Sequence, residues 1–237
     1  MSARRILIVG GGSAGWMTAA YLDAALNAEG QSPVDIALIE SPDVPRIGVG
    51  EATIPSINHV LAVIGIDEID FLKRVDGTYK QAIKYADWLD GQGESYYHAF
   101  GRYRSSPIDS TSMDWLMSDR SLPFSETISA QPVICDACLA PKTLELADVG
   151  ARFTYAFHMN ALKFADYLCE IATSRGVGHH LEHIVDIEMK ATGDIAAVKT
   201  KTGKRIEADL FVDATGFAGL MIEKKLGEKW IDCSQWL

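Results

Sequence analysis

The sequence has no excess of basic residues. Its 22 lysines and arginines stand against 32 aspartates and glutamates, a formal net charge of −10 over 237 residues. Nucleic acids and acidic membrane surfaces both reward a basic face, so neither is expected as a partner. The shortage of positive charge does not exclude an anionic cofactor, because backbone N–H groups hold phosphates without charged side chains. A long apolar leader is also missing. Met1-Ser2-Ala3-Arg4-Arg5 precedes only a short apolar run, Ile6 to Val9, too short for a signal-peptide core or a membrane span. The expectation is a soluble, cytoplasmic protein. Cysteines are few: Cys135, Cys138, Cys169 and Cys233. The lone C-x-x-C at 135–138 lacks the second ligand pair of a zinc site and the strand-to-helix setting of a redox pair, so these read as incidental reduced thiols. His179, His180 and His183 have no accompanying carboxylate pattern, and no metal is expected. Repeats, linkers and low-complexity tracts are absent. What remains is an ordinary globular balance of 48% hydrophobic and 23% charged residues. It is enough for one substantial α/β domain with a large core.

Along the chain, Arg4-Arg5-Ile6-Leu7-Ile8-Val9 is a continuous apolar run closed by glycines, the pattern of a strand buried on both faces. Residues 13–27 turn helical, with small residues first and Gly30 as the stop. Residues 34–40 form a second strand, so 4–40 is one right-handed βαβ unit. A loop with two prolines occupies 41–50. Two short helices are expected over 56–64 and 67–75, joined at Gly65. Tyr79 to Trp88 is ambiguous between helix and strand, and 89–150 is loop-rich and aromatic with no clear period, either an irregular substrate-side or lid insertion or a set of short strands. A helix returns over 160–172. Strands follow at 184–190 and 195–201, joined by a hairpin turn through Gly193-Asp194. Arg205 to Ala208 and Leu210-Phe211-Val212 come next, and the latter strand runs into Asp213-Ala214-Thr215-Gly216. The apolar end, Trp230 to Leu237, reads as interrupted rather than finished.

The first motif that carries chemistry is Gly10-Gly11-Gly12-Ser13-Ala14-Gly15, a G-x-G-x-x-G between a strand and a helix. Gly10 makes the tight turn, Gly12 admits a pyrophosphate close to the backbone, and Gly15 lets the helix pack on the sheet. The helix N-terminus, with Ser13 and Ala14 in its first turn, offers N–H groups and partial positive charge to phosphates. Glu40 ends the second strand 25 positions after Gly15, where a carboxylate can accept two hydrogen bonds from an adenosine ribose. NAD and FAD both satisfy this motif. The later helix, hairpin and strand-Asp213-Ala214-Thr215-Gly216 suit the FAD domain of flavoprotein hydroxylases better than a simple dehydrogenase.

Several segments in order carry a resemblance: Gly10 to Gly15 followed by Trp16; Gly48-Val49-Gly50-Glu51-Ala52-Thr53-Ile54-Pro55; Gly65-Ile66-Asp67-Glu68 with Phe71-Leu72-Lys73; and Thr78-Tyr79-Lys80-Gln81-Ala82-Ile83 with Trp88. Tyr97-His98-Ala99-Phe100-Gly101, with alanine where proline is usual, Tyr155-Ala156-Phe157-His158, and Asp209 to Phe217 complete the set. Over essentially its whole length the chain resembles the N-terminal, FAD-binding part of flavin-dependent halogenases of the tryptophan halogenase family. The implied fold is α/β: a Rossmann-like FAD-binding domain of the flavin monooxygenase type with an additional small β/loop region. Residues 1–88 would carry the dinucleotide fold and flavin strap, 89–150 the insertion, and 151–237 the return of the FAD domain.

In that family reduced flavin reacts with O2 to give a hydroperoxide, a halide attacks it, and hypohalous acid travels through a tunnel to a lysine beside an electron-rich aromatic. The matching lysine is Lys80, whose ammonium could hydrogen-bond and polarise hypohalous acid, or whose amine could form a haloamine. The resemblance implies FAD contacts from Gly10, Gly12, Ser13, Ala14, Gly15, Glu40 and Asp213, and from the strap residues Gly48, Val49, Gly50, Ala52, Thr53 and Ile54. Glu51 is expected to contact the cofactor, with capping of a neighbouring helix as the alternative. No second motif for NAD(P)H is present, so reduced FAD would come from a separate flavin reductase, with halide as co-substrate and an indole such as tryptophan as the first aromatic to consider. A homodimer is left open. The family's Trp-x-Trp-x-Ile-Pro segment and the glutamate partner of the lysine are expected beyond Leu237, which makes the chain read as truncated. The alternatives are a flavin-dependent monooxygenase and an inactive FAD-binding fragment.

Overall fold

The computed structural model describes residues 4–28, 33–46, 48–101, 111–142 and 153–236. Strand β1 (Arg5–Val9) leads through the glycine turn into helix α1 (Ser13–Leu26), and β2 (Asp35–Glu40) follows. The side-chain amide of Asn27 closes α1: it donates to Asp23 and to the Val34 carbonyl, and its oxygen accepts from Val34 N–H at 2.7 Å. The helix thus ends before Gly30, which lies outside the described residues.

Strand β3 (Gly50–Ala52) begins at the end of the expected loop, and helices α2 (Ser56–Ile64) and α3 (Glu68–Arg74) form where the apolar spacing indicates. Asp67 caps α3 by accepting from Asp70 N–H at 2.8 Å, and Glu68 and Asp70 place negative charge in its first turn. The ambiguous stretch resolves into strands β4 (Thr78–Lys80) and β5 (Ala82–Ala86), the latter paired antiparallel with β6 (Ser95–Ala99). The described part of the insertion holds β6 and three short helices, α4 (Thr111–Met117), α5 (Phe124–Ile128) and α6 (Gln131–Asp136), while its residues 102–110 and 143–150 lie outside the described residues.

Strand β7 (Ala156–Asn160) runs directly into α7 (Ala161–Ser174). Then come β8 (Gly178–Leu181), β9 (Ile184–Met189), β10 (Ile195–Thr200), β11 (Arg205–Glu207), β12 (Leu210–Asp213) and a 3-10 turn at Gly216–Ala218. Strand β8 was not anticipated.

The chain forms two compact units. The first comprises Met1–Val49, Val63–Gly65 and Asn160–Leu237. Its centre is a parallel sheet of order β12-β1-β2-β8, in which β1 has a neighbour on each side. Ile6, Leu7, Ile8 and Val9 are therefore all buried, which explains the unbroken apolar run. Alternation divides the strands between two faces. Leu38 lies under α1, while Leu7, Val9 and Ile39 pack with Ile187 and Val198 of the antiparallel β11-β10-β9 layer and with Ala208, which follows β11. Each such leucine, isoleucine or valine stabilises the fold by about 1.5–3 kcal/mol when fully buried. Small buried residues, Gly15, Ala19 and Ala20, let α1 lie close, and α7 packs beside it.

The second unit comprises Gly50–Ala62 and Ile66–Met159. Its sheet has the order β3-β7-β4, with β4 antiparallel to β7. Phe157 of β7 is fully buried, and the Phe71 ring of α3 meets it edge-on at 5.0 Å.

Helix α7 is capped at its N-terminus by one side chain. Asn160 accepts from Leu162 N–H at 3.0 Å and Lys163 N–H at 3.2 Å, satisfying two donors that the helix leaves open. Asn160→Ala should lower the unfolding free energy by about 1 kcal/mol with an unchanged denaturant slope, as read from urea melts.

Candidate functional site

The turn after β1 is built by backbone approach. Gly10 has φ +113°, and a Cβ there would lie 2.2 Å from the Ala214 carbonyl oxygen. The three strand ends are joined by hydrogen bonds from Gly10 N–H to Ile39 O at 2.9 Å and from Ala214 N–H to Val9 O at 2.8 Å. A Cβ on Gly15 would fall 1.8 Å from Gly10 O, so only glycine lets α1 start this close to the strand. Gly12 differs from both. A Cβ there would meet nothing within 4 Å. No side chain caps α1. Among the described residues, the N–H groups of Gly12, Ser13, Ala14 and Gly15 have no acceptor. Open space before four unpaired donors at a helix N-terminus is what a pyrophosphate requires, so these residues fit a dinucleotide. The Ser13 hydroxyl is not among the free donors. It is spent on the Ala161 carbonyl at 3.1 Å.

Glu40 ends β2 with its carboxylate against this turn: a Cβ on Gly11 would lie 1.8 Å from Glu40 Oε2. The carboxylate is held by Arg46 at 2.9 Å and by His179 Nε2 at 2.9 Å. Arg46 is held in turn by Asp166, and His179 lies edge-on to the buried Trp16 ring at 4.8 Å. Oε2 accepts from Arg46 only at 3.2 and 3.3 Å, so a ribose hydroxyl at Glu40 would compete with these longer bonds. Sequence reading missed Arg46, Asp166 and His179. His179 was met there only as one of three histidines, which go to separate places: His179 bonds Glu40, while His183 bonds Ser41 and Asp43.

Asp213, at the end of β12, has its carboxylate occupied from within. Oδ1 accepts from Thr215 N–H and hydroxyl, and Oδ2 accepts from Met221 N–H at 2.8 Å and Ile222 N–H at 3.0 Å. Burial raises its pKa. The hydrogen bonds, first that of the Thr215 hydroxyl, outweigh burial and hold the carboxyl below the usual range. Asp213 thus shapes the loop that passes Gly10.

The strap residues divide between the two units. In the first, Gly48 lies against Leu162, and Val49 O accepts from Ala161 N–H at 3.1 Å. In the second, Gly50 and Ala52 belong to β3, and Ile54 is 60% exposed. Among the described residues Glu51 caps no helix; its carboxylate turns back onto Ala52 N–H. Thr53 is tied to Phe157 three times, by N–H to the carbonyl, by hydroxyl to the carbonyl and by Phe157 N–H to the hydroxyl.

Lys80, in the same unit, is only 9% exposed, in contrast to the exposed Lys73 and Lys84. Its amine donates to Thr53 O at 3.0 Å and lies 5.4 Å from the Phe100 ring. No carboxylate lies within 4 Å of it among the described residues. His158, opposite Thr78, is held below its ordinary pKa by burial and then by the charge of Lys80. The structure therefore brings Lys80 and Thr53 together, and separately gathers Gly10, Gly12, Gly15, Glu40 and the loop after Asp213.

The tryptophan halogenase family profile matches residues 5–237. The tryptophan 7-halogenase RebH of Lentzea aerocolonigenes is 39% identical over 254 residues, covering 98% of this chain and 46% of that protein. The tryptophan 6-halogenase ThaL of Streptomyces albogriseolus is 35% identical, with 99% and 46% covered. The crystal structure of a tryptophan halogenase from Shewanella frigidimarina superimposes with a TM-score of 0.85 at 38% identity, covering 92% of this chain and 43% of that one. The chain spans about half the length of the curated relatives it matches.

The Asp213 carboxyl makes a pH prediction. Its folded pKa is depressed, so its contribution is present above the unfolded value and is lost as pH falls through the folded one. The stability difference between wild type and Asp213→Asn should be largest near neutrality and shrink as pH drops below about 4. Paired urea melts across that range measure it, and a pH-independent difference would contradict the assignment.

Proposed function

We propose a function from one premise: this chain belongs to the tryptophan halogenase family. The chain holds FAD on the turn at Gly10, Gly12, Ser13, Ala14 and Gly15, with Glu40 for the ribose. The loop held by Asp213 and the strap residues Gly48, Val49, Gly50, Ala52, Thr53 and Ile54 add contacts. The protein that carries it halogenates an electron-rich aromatic, an indole such as tryptophan before a phenol or pyrrole. FAD, when bound and reduced by a separate flavin reductase, would supply, together with O2, the two-electron oxidation that turns halide into hypohalous acid. Lys80 delivers that acid to the aromatic carbon.

The observation that carries this reading is the state of Lys80. A buried ammonium has three N–H donors, and burial makes each unpaired one costly. Here one is met by Thr53 O, no carboxylate lies beside it among the described residues, and the Phe100 ring gives only a diffuse attraction. A cation left this poorly satisfied binds and polarises a small oxygen-containing guest. Carried by a compact ammonium rather than a guanidinium, the charge can turn its donors toward a guest of any orientation.

Two substitutions separate the parts. Gly12 has φ −75° and ψ −178°, which any residue adopts, and it faces open space. Gly12→Val should leave thermal stability unchanged while weakening FAD binding by roughly tenfold or more, followed by flavin fluorescence quenching. Lys80→Ala should keep FAD affinity within about twofold. It should cut halogenated product by roughly a hundredfold or more, assayed in the protein that carries this chain with halide, tryptophan and a flavin reductase. An alanine variant that halogenates at the parent rate removes Lys80 from the chemistry.

A further inference from the structure

The second unit contains a buried charged cluster that the proposed chemistry does not use. Glu68, at the start of α3, is 5% exposed. Its Oε1 meets the Lys142 amine at 2.5 Å and accepts from the Tyr79 hydroxyl at 2.9 Å, while its Oε2 accepts from the Tyr155 hydroxyl. The Lys142 amine also lies over both tyrosine rings, 5.8 Å from that of Tyr79 and 5.6 Å from that of Tyr155. Burial raises the Glu68 pKa, but the hydrogen bonds, first that of Lys142, outweigh it and keep the carboxyl ionised.

A buried ion pair is weak evidence for stability, since a well-packed apolar cluster of the same volume is often as good. What the cluster does supply is a fixed point. Strand β4 has three residues and, among the described residues, pairs in its sheet only with β7. So short an edge strand is poorly held by its ladder alone. Tyr79 is its middle residue, and alternation sends its side chain opposite to that of Lys80. The Tyr79 ring rests on Tyr155 at 5.2 Å, and its hydroxyl ends on Glu68. The acceptor of the Lys80 amine is just as firmly placed, because Thr53 is tied to Phe157, the register partner of Tyr79.

We propose that Glu68 is a positioning residue for Lys80: through the Tyr79 hydroxyl it pins strand β4 and so sets the Lys80 amine on the Thr53 carbonyl. This rests on the reading of Lys80 given above, but its test does not. The rate of acetylation of Lys80 by acetic anhydride, followed by peptide mass spectrometry on the 237-residue chain, reads where the amine sits whether or not it takes part in halogenation. Tyr79→Phe keeps the ring and removes the tether, leaving Glu68 still paired with Lys142 and Tyr155, so this variant is the one expected to fold. Glu68→Gln is the companion. In both, Lys80 should label roughly three- to tenfold faster, the weight of about one hydrogen bond, while Lys73, Lys163 and FAD affinity stay at parent values. Unchanged Lys80 labelling in Tyr79→Phe overturns the proposal. A uniform rise across all lysines also overturns it, because it assigns the cluster to general stability. If Lys80→Ala still halogenates while Tyr79→Phe frees Lys80, the functional reading falls and the positioning stands.

Discussion

The closeness of backbone to backbone at Gly10 is the constraint on which the first unit depends. The carbonyl of Ala214 stands where a side chain on Gly10 would be, and the carbonyl of Gly10 stands where one on Gly15 would be. These two contacts bring the ends of β12 and β1 and the start of α1 within one residue's width. Four N–H groups are then left pointing out of the same corner, and Glu40 is pressed against Gly11. The four donors need no positive side chains, which is how a chain of net charge −10 offers a place for a diphosphate. The polar groups near the corner that could compete for it are already used: Ser13 on Ala161, Asp213 on its own loop, and Arg46 on Glu40 and Asp166. A site whose side chains are committed elsewhere presents its backbone without rearrangement, which reduces the cost of binding.

The second unit meets the opposite demand, keeping charge inside. Strand β7 is its reference line. Thr53 is bound to Phe157 on one side, and Tyr79 and Lys80 pair with Phe157 and Ala156 on the other. Both partners of the Lys80–Thr53 hydrogen bond therefore take their positions from adjacent residues of β7, Thr53 from Phe157 and Lys80 from Ala156. The unit buries two kinds of cation. Lys142 is fully paired with a carboxylate, while Lys80 is given one carbonyl and a ring face. Pairing neutralises Lys142 and makes it structural. Under-pairing leaves Lys80 with attraction to spare.

What could be read from the sequence divides along physical lines. Strands β1, β2 and β12 and helix α1 were legible because glycines punctuate long, consistent periods there. The stretch from Tyr79 to Trp88 was not, because half-buried edge strands mix polar and apolar residues without a clean alternation. Helices α5 and α6 have five and six residues, too few to complete an apolar period. Strand β8 hides behind Gly178 and two histidines; it forms by pairing with β2, a tertiary effect that local propensity does not carry. The glycine turn could be found from spacing, whereas Lys80 could not. Between Lys73 and Lys84 it reads as another solvated lysine, and only the resemblance singled it out. Its burial and its Thr53 partner appear only in three dimensions.

A lysine near an edge strand is ordinarily a solvating residue, and edge strands often carry one for that reason. Strand β4 departs from that pattern: its lysine faces inward, 9% exposed. Turning a lysine inward costs desolvation, and nothing on the strand itself repays it, since Thr53 O is a neutral acceptor. The arrangement persists only if neighbouring interactions hold β4 in that rotation about its axis. Alternation makes Tyr79 the natural handle, because rotating Lys80 out to solvent rotates Tyr79 away from Glu68. The buried carboxylate would then lose one of its three donors and be left under-paired beside Lys142, a loss that opposes the rotation. The two faces of one short strand thus oppose each other's escape, with an under-paired cation on one face and a satisfied anion on the other.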